Sequence, residues 1–128
     1  MTDNKQFIAE MTPETFQNLQ QFSPNYLIIV KFGAEWCKPC KLIKQTCEDW
    51  FNKCPSNISY ADIDIDESMD LYMAFKRKKM ARGVPIILAF NTNIQRDEWY
   101  IPDDSVEGGD IDAVNAFFQR CIDVSSKM

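Results

Sequence analysis

The sequence predicts one α/β domain in which a central mixed β-sheet carries helices on both faces. Apolar runs of strand length alternate along the chain with segments whose apolar residues recur at helical spacing. The 128 residues, of which 45% are hydrophobic and 26% charged, suit one folded core. We therefore expect residues 1–128 to form a single domain.

Local patterns predict the first three elements. Phe7 to Glu10 reads as a short edge strand. Thr12 followed by Pro13 marks a helix start, because a threonine hydroxyl caps unpaired N–H groups and proline fits the first helical turn. That helix would turn Phe16 inward. Tyr26 to Phe32 is an apolar run interrupted only by Lys31, which is typical of a central strand covered on both faces.

The middle of the chain predicts a helix, a strand and a second helix. The first helix should run from Cys37 to about Lys53, because the proline two residues later disfavours its continuation. Ile58 to Ile65 alternates as a strand does. Asp66 or Ser68 would then cap a helix that ends near residue 79.

The last third predicts an antiparallel pair of strands and a closing helix. Ile86 to Phe90 and Asp97 to Ile101 read as two strands joined through the polar turn at residues 91–93. The final helix would start near Asp110, because apolar residues from Ile111 to Ile122 recur on one face at helical spacing. Strand–helix–strand units followed by a hairpin and a helix give the mixed sheet with helices on both faces.

Cys37-Lys38-Pro39-Cys40 is the segment that carries chemistry. Two cysteines separated by two residues can close a small disulfide ring, and these stand where a strand gives way to a helix. The helix N-terminus would stabilise the Cys37 thiolate and lower its pKa, and Lys38 adds a positive charge. We expect Cys37 to be the exposed nucleophile and Cys40, one turn deeper, to resolve a mixed disulfide. Pro39 would stiffen the turn.

A structural or zinc-binding pair is the alternative for these two cysteines, since zinc sites use the same spacing. The chain has no histidine, and Cys47 and Cys54 follow at seven-residue intervals, about 10 Å apart along the predicted helix. That separation is too large for a shared metal or a direct disulfide. We expect no metal, and we interpret Cys47, Cys54 and Cys121 as core or semi-exposed thiols.

Two segments, Trp36-Cys37-Lys38-Pro39-Cys40-Lys41 and Arg82-Gly83-Val84-Pro85, resemble landmarks of the thioredoxin family. The first is similar to the active-site motif of that family, with lysine in place of its usual glycine. The second is similar to the turn whose proline is cis and lies against the cysteines. The resemblance implies the thioredoxin fold, with Trp36 on the rim and Val84 and Pro85 beside a bound substrate segment. A core position for Trp36 and a trans bond before Pro85 are the alternatives.

The same resemblance implies a reversal of charge beneath the second cysteine. Most thioredoxins bury an aspartate on the central strand and pair it with a lysine on the neighbouring strand, whereas here those positions hold Lys31 and Asp62. We expect Lys31 and Asp62 to form an ion pair that affects Cys40, because a lone buried lysine is costly. The alternative is that Lys31 extends from the strand end to water.

These features predict a thiol–disulfide oxidoreductase that reduces protein disulfides, with a role in electron transport and redox homeostasis. The chain has no nucleotide-binding fingerprint, so we expect no cofactor and an external thiol reductase as electron donor. The N-terminal residues lack the apolar run of a signal peptide, which favours a reducing, cytoplasmic location. A thiol oxidase or isomerase partner and a noncatalytic thioredoxin-fold binding module are the rival interpretations.

Charge is distributed unevenly along the chain. The net charge of −5 argues against general nucleic-acid binding, and no apolar run reaches membrane-spanning length. We therefore expect a monomer whose partners are disulfide-containing proteins, with no nucleic acid and no membrane. Positive charge is concentrated near the second landmark, in Lys76-Arg77-Lys78-Lys79.

Overall fold

The computed structural model describes residues 7–8 and 11–128, which form five strands and four helices. The strands are β1 Phe7–Ile8, β2 Leu27–Gly33, β3 Ile58–Asp64, β4 Ile86–Asn91 and β5 Asp104–Glu107. The helices are α1 Pro13–Phe22, α2 Lys38–Lys53, α3 Asp70–Arg77 and α4 Ile111–Ser125.

The five strands form one mixed sheet in the order β1-β3-β2-β4-β5. β1 and β2 pair with β3 in parallel, whereas β4 pairs antiparallel with both β2 and β5. The predicted central mixed sheet is therefore confirmed, with β2 in the middle. The parallel register places Lys31 of β2 directly beside Asp62 of β3.

Both faces of β2 are buried, as its largely apolar sequence predicts. Ile28, Val30 and Phe32 pack into the cluster that contains side chains of α1 and α3. Leu27 and Ile29 pack into the opposite cluster, which contains side chains of α2 and α4. Burying each such side chain contributes about 1.5–3 kcal/mol, so the helical layers hold β2 in place from both sides.

Four of the predicted helix boundaries agree with the structure. Thr12 caps α1 by accepting from the backbone N–H of Thr15 at 3.1 Å. Asp110 caps α4 by accepting from the N–H of Asp112 at 3.0 Å. The residue before α2 is Cys37, and this helix ends at Lys53 as predicted.

The start of α3 was predicted wrongly. Neither Asp66 nor Ser68 caps the helix, because both belong to a turn that precedes it. The N–H of Asp66 donates to the Oδ1 of Asp64 at 2.8 Å, and the N–H of Ser68 donates to the carbonyl of Asp64 at 2.9 Å. Residues 64–68 thus form a separate turn, and Met69 precedes the helix without any side-chain capping bond. The helix also ends at Arg77, two residues before the predicted end.

The second strand of the predicted hairpin was also placed wrongly. Residues 97–101 form a loop, and the strand that pairs with β4 is Asp104–Glu107. The loop is held in place by Arg96, which donates to the carbonyls of Asn91 and Ile101 at 2.9 and 2.6 Å. Trp99 packs on the rings of α1 and α3 instead of joining the sheet. In the first predicted strand, residues 9–10 lie outside the described residues.

Candidate active site

The cysteine pair lies where β2 ends and α2 begins. Cys37 is the N-cap of α2, and Cys40 lies in its first turn. The two cysteines form a disulfide, with their Cα atoms 5.2 Å apart. Pro39 fits between them because a residue in the first helical turn needs no N–H for a helical bond.

The helix N-terminus directs a hydrogen bond at the first sulfur. The backbone N–H of Cys40 donates to the Sγ of Cys37 at 3.2 Å. Unpaired N–H groups and the positive end of the helix dipole stabilise a negative charge at this position. The exposed Lys38 adds a cation next to it in the chain. The surroundings of Cys37 therefore favour the thiolate form of this side chain.

The predicted contrast between an exposed Cys37 and a buried Cys40 is wrong for the disulfide state. Cys37 is 4% exposed and Cys40 is 6% exposed, so both lie below the surface. Cys37 is covered by the turn that precedes β4, where the carbonyl oxygen of Val84 lies 3.6 Å from its sulfur. Neighbouring elements, and not depth along α2 alone, decide how accessible each sulfur is.

The turn beside Cys37 contains the cis peptide bond between Val84 and Pro85, as expected from the resemblance. The carbonyl of Pro85 accepts from the N–H of Gly108 at 3.0 Å, which ties this turn to the segment before α4. Farther out, Arg82 donates to Glu107 at 2.8 Å on the surface. These two contacts hold the turn, and its Val84 carbonyl faces Cys37.

Trp36 lies on the surface beside the cysteine pair and is 67% exposed, so the alternative of a core position is wrong. Its indole N–H donates to the Oδ2 of Asp66 at 2.8 Å. This contact fixes one edge of the ring and leaves much of the remainder open to solvent. The sequence suggested Asp66 only as a helix cap. Its position just after β3, a strand parallel to β2, was the feature that could have placed it beside Trp36.

Lys31 and Asp62 form an ion pair, with the Nζ of Lys31 3.4 Å from the Oδ1 of Asp62. The lysine side chain is 6% exposed and the aspartate side chain 29%, so the alternative of a lysine reaching water is wrong. Both side chains line a cleft of about 480 Å³ that also reaches Cys40. The floor of the cleft at Gly33 is close to the sulfur, since a Cβ there would lie 3.5 Å from the Sγ of Cys40.

Gly109, which sequence reasoning did not single out, packs directly on the active-site turn. A Cβ at this position would lie 3.0 Å from the Cβ and 3.2 Å from the Cα of Pro39. Such separations are too short for an unstrained contact, so the segment before α4 approaches the cysteine pair closely only because residue 109 has no side chain. The pair of glycines before Asp110 was the signal in the sequence.

The remaining cysteines are buried and form no disulfide. Burial raises the pKa of the Cys47 thiol to about 11, although the positive charge of Lys31 acts in the opposite direction. Burial also raises the pKa of Cys121 strongly. Since the thiolate is the reactive form, these two side chains are poor nucleophiles at neutral pH. Among the described residues, no group of three or more cysteine or carboxylate side chains is arranged to hold a metal.

Comparison with known proteins agrees with this fold and this cysteine pair. The sequence model of the thioredoxin family matches residues 7–102, and the chain belongs to that family. Thioredoxin-2 of Pyricularia oryzae is 31% identical over 94 residues, which cover 70% of this chain and 52% of that protein. Thioredoxin of Mus musculus is 34% identical over 58 residues, which cover 45% of this chain and 54% of that protein. The matched part of the chain thus spans about half the length of these relatives.

Solved structures support the fold independently. The thioredoxin of Malassezia sympodialis superposes with a TM-score of 0.66 at 18% identity and covers 94% of each chain. A thioredoxin of Halobacterium salinarum superposes with a TM-score of 0.65 at 19% identity, covering 95% of this chain and 96% of that one. The thioredoxin fold is therefore shown. None of the helices in the described part of the chain is both long and apolar enough to cross a bilayer.

Proposed function

We propose that this protein is a protein-disulfide reductase that works through the Cys37–Cys40 pair. The observation that carries the proposal is the position of this pair, which closes a disulfide at the N-terminus of α2 with a backbone N–H donating to the first sulfur. A dithiol at such a site can exchange with the disulfide of another protein. Membership of the thioredoxin family supports the same reaction.

The reaction transfers two electrons from the dithiol to the substrate. The Cys37 thiolate attacks one substrate sulfur, so that a mixed disulfide forms and the other substrate sulfur leaves as a thiolate. The Cys40 thiol gives up its proton and attacks the Sγ of Cys37. The Cys37–Cys40 disulfide forms, and the substrate leaves with both of its sulfurs reduced.

Trp36 and the Val84–Pro85 turn are proposed to hold the substrate. The exposed ring of Trp36 offers an apolar surface beside the cysteines, with its orientation fixed by Asp66. On the other side, the backbone at Val84 lies within 3.6 Å of the sulfur of Cys37. An extended segment around the substrate disulfide would bind to the backbone there, since extended peptides bind through main-chain hydrogen bonds.

Lys31 is proposed to act as a positioning residue for the second step. Its side chain lines the same cleft as Cys40 and is paired with Asp62 at 3.4 Å. A cation near Cys40 stabilises the thiolate that must attack Cys37. Asp62 in turn holds the lysine side chain in the cleft.

The proposed partners are disulfide-containing proteins and an external thiol reductase that restores the dithiol. Buried cysteines outside any disulfide support a reducing compartment, and we propose the cytoplasm. We also propose that the protein acts as a monomer and binds neither nucleic acid nor membranes. Mitochondrial thioredoxin of Mus musculus is also similar, at 28% identity over 95 residues. Cell fractionation followed by immunoblotting tests the location, and a mitochondrial signal would contradict it.

A trapping experiment tests the reaction. Cys40→Ser retains the nucleophile and lacks the resolving thiol, so it should accumulate mixed disulfides through Cys37 when mixed with a protein disulfide. Cys37→Ser is the matched control and should accumulate far less. Equal trapping by the two variants would contradict the assigned roles. Absence of turnover by the wild type, with dithiothreitol as reductant, would instead support a noncatalytic binding module.

The thiol oxidase or isomerase alternative has a specific observation in its favour. Lys38 and Lys31 place positive charge near both active-site cysteines, and stabilising the thiolates makes the disulfide a stronger oxidant. The reduction potential of the pair, measured in glutathione redox buffers, separates the two directions. A reductase requires a potential near that of thioredoxin, about −270 mV, and a potential near −120 mV would favour the oxidase.

A further inference from the structure

Four consecutive cations form a surface feature that the cysteine chemistry does not use. Lys76, Arg77, Lys78 and Lys79, together the basic patch, are all exposed at the end of α3. From Leu71 to Arg96 the chain has six lysines or arginines and no aspartate or glutamate, although the whole protein carries a net charge of −5. None of the four forms an ion pair with another described residue.

Stability of α3 explains only part of this patch. Lys76 and Arg77 lie in the last turn, where cations complement the negative end of the helix dipole. The ammonium group of Lys78 lies over the ring of Tyr100, so the charge of this lysine also makes a local contact. Lys79 follows the helix with a positive φ of 64° and has no side-chain contact of this kind. Four adjacent like charges repel one another, and folding alone does not require them.

The basic patch is close to the reactive sulfur along the chain. After Lys79 the backbone turns inward, since the N–H of Met80 donates to the carbonyl of Phe75 at 2.9 Å and Ala81 is buried. Val84, whose carbonyl lies 3.6 Å from the Sγ of Cys37, is only five residues beyond Lys79. Five residues span at most about 18 Å, so a substrate segment of five extended residues or fewer connects the two places.

We propose that the basic patch binds an acidic segment of the protein whose disulfide is reduced at Cys37. This inference rests on the proposed function and names the class of substrate. Complementary charge steers encounter and selects partners, and these effects act over about 8 Å at physiological ionic strength. An acidic segment must therefore pass directly over the patch, which places its carboxylates within about five residues of the reacting cysteine.

Matched disulfide peptides test the proposal. Each peptide has the same disulfide-bonded centre, and the residues four to six positions away on both sides are Glu in one peptide and Gln in the other. The second-order rate of reduction by the prereduced protein is measured for both peptides at about 10 mM and about 150 mM salt. We expect the Glu peptide to react about fivefold faster at low salt, with the ratio falling as salt rises.

The decisive variant is Arg77→Gln/Lys79→Gln, because neither side chain makes a ring contact or an ion pair with a described residue. Its Glu-to-Gln rate ratio should fall towards one. Lys53→Gln/Lys127→Gln is the control with the same change in net charge. Lys53 is the last residue of α2, where it lies over the ring of Trp50, and Lys127 follows α4. The control should keep the wild-type ratio.

An unchanged ratio in the Arg77→Gln/Lys79→Gln variant would overturn the proposal and assign any preference to lysines nearer the cysteines, such as Lys38. Equal loss in the control variant would also overturn it, because net charge alone would then be the cause. So would patch-dependent binding to phosphatidylserine vesicles combined with a peptide ratio near one, since the patch would then serve a membrane surface. Failure to reduce either peptide would be a failure of the proposed reductase function itself.

Discussion

The ion pair between Lys31 and Asp62 makes the strongest quantitative prediction. Asp62→Asn removes the negative charge and leaves the ammonium group of a lysine whose side chain is 6% exposed. At 3.4 Å the attraction between two unit charges is about 5 kcal/mol at an effective dielectric constant near 20, and about 1 kcal/mol in water. Asp62 lines an open cleft and is 29% exposed, so the interaction falls between these limits. We expect the variant to lose about 2 kcal/mol of stability.

The assay is urea unfolding of the oxidised protein, followed by tryptophan fluorescence, with thermal melting as a second measurement. A loss of about 2 kcal/mol corresponds to a decrease of roughly 8 °C in Tm for a domain of this size. Adding Lys31→Met to Asp62→Asn should restore most of the loss, because the double variant no longer holds an unpaired buried charge. Asp97→Asn, at an exposed loop carboxylate, is the control and should change stability little.

One result would refute this reasoning. If Asp62→Asn loses less than about 0.5 kcal/mol and the double variant shows no recovery, the ammonium group of Lys31 is solvated through the cleft and does not depend on its partner.

Three further predictions concern the site and the core. Lys31→Met should slow resolution of the mixed disulfide by Cys40 more than its formation, as measured by stopped flow; equal slowing of both steps would contradict a positioning role. Burial raises the pKa of Cys47 from 9.0 to about 11, so the stability it contributes is complete below pH 9.0 and declines as pH rises through about 11. Between pH 9 and pH 11 the free energy of unfolding of Cys47→Ala should therefore fall less than that of the wild type, by up to about 3 kcal/mol. The same pH dependence in both proteins would contradict this prediction. Gly109→Ala should lower the free energy of unfolding by about 1–2 kcal/mol and slow protein reduction, since its methyl group would lie 3.0 Å from the Cβ of Pro39. Unfolding and reduction rates equal to those of the wild type would contradict this, because the active-site turn would then have moved without cost.

The sequence by itself determined the features that depend on neighbouring residues. The apolar run at Tyr26 to Phe32 identified the central strand, because only a strand buried on both faces needs such a run. The cysteine spacing and the helical pattern that follows it located the start and end of α2. The resemblance of Val84–Pro85 to a family landmark anticipated the cis bond.

Tertiary structure decided what depends on residues far apart in the chain. Residues 97–101 have the composition of a strand, yet Trp99 packs on α1 and α3 and Asp104–Glu107 takes the place beside β4. Cys37 begins a helix as predicted, but it is covered by a turn 47 residues later in the sequence. Local sequence patterns indicate which residues are buried and which backbone conformation they favour. Distant elements must pack together before the partners of a strand, the groups that cover a sulfur and the residues that line a cleft are determined.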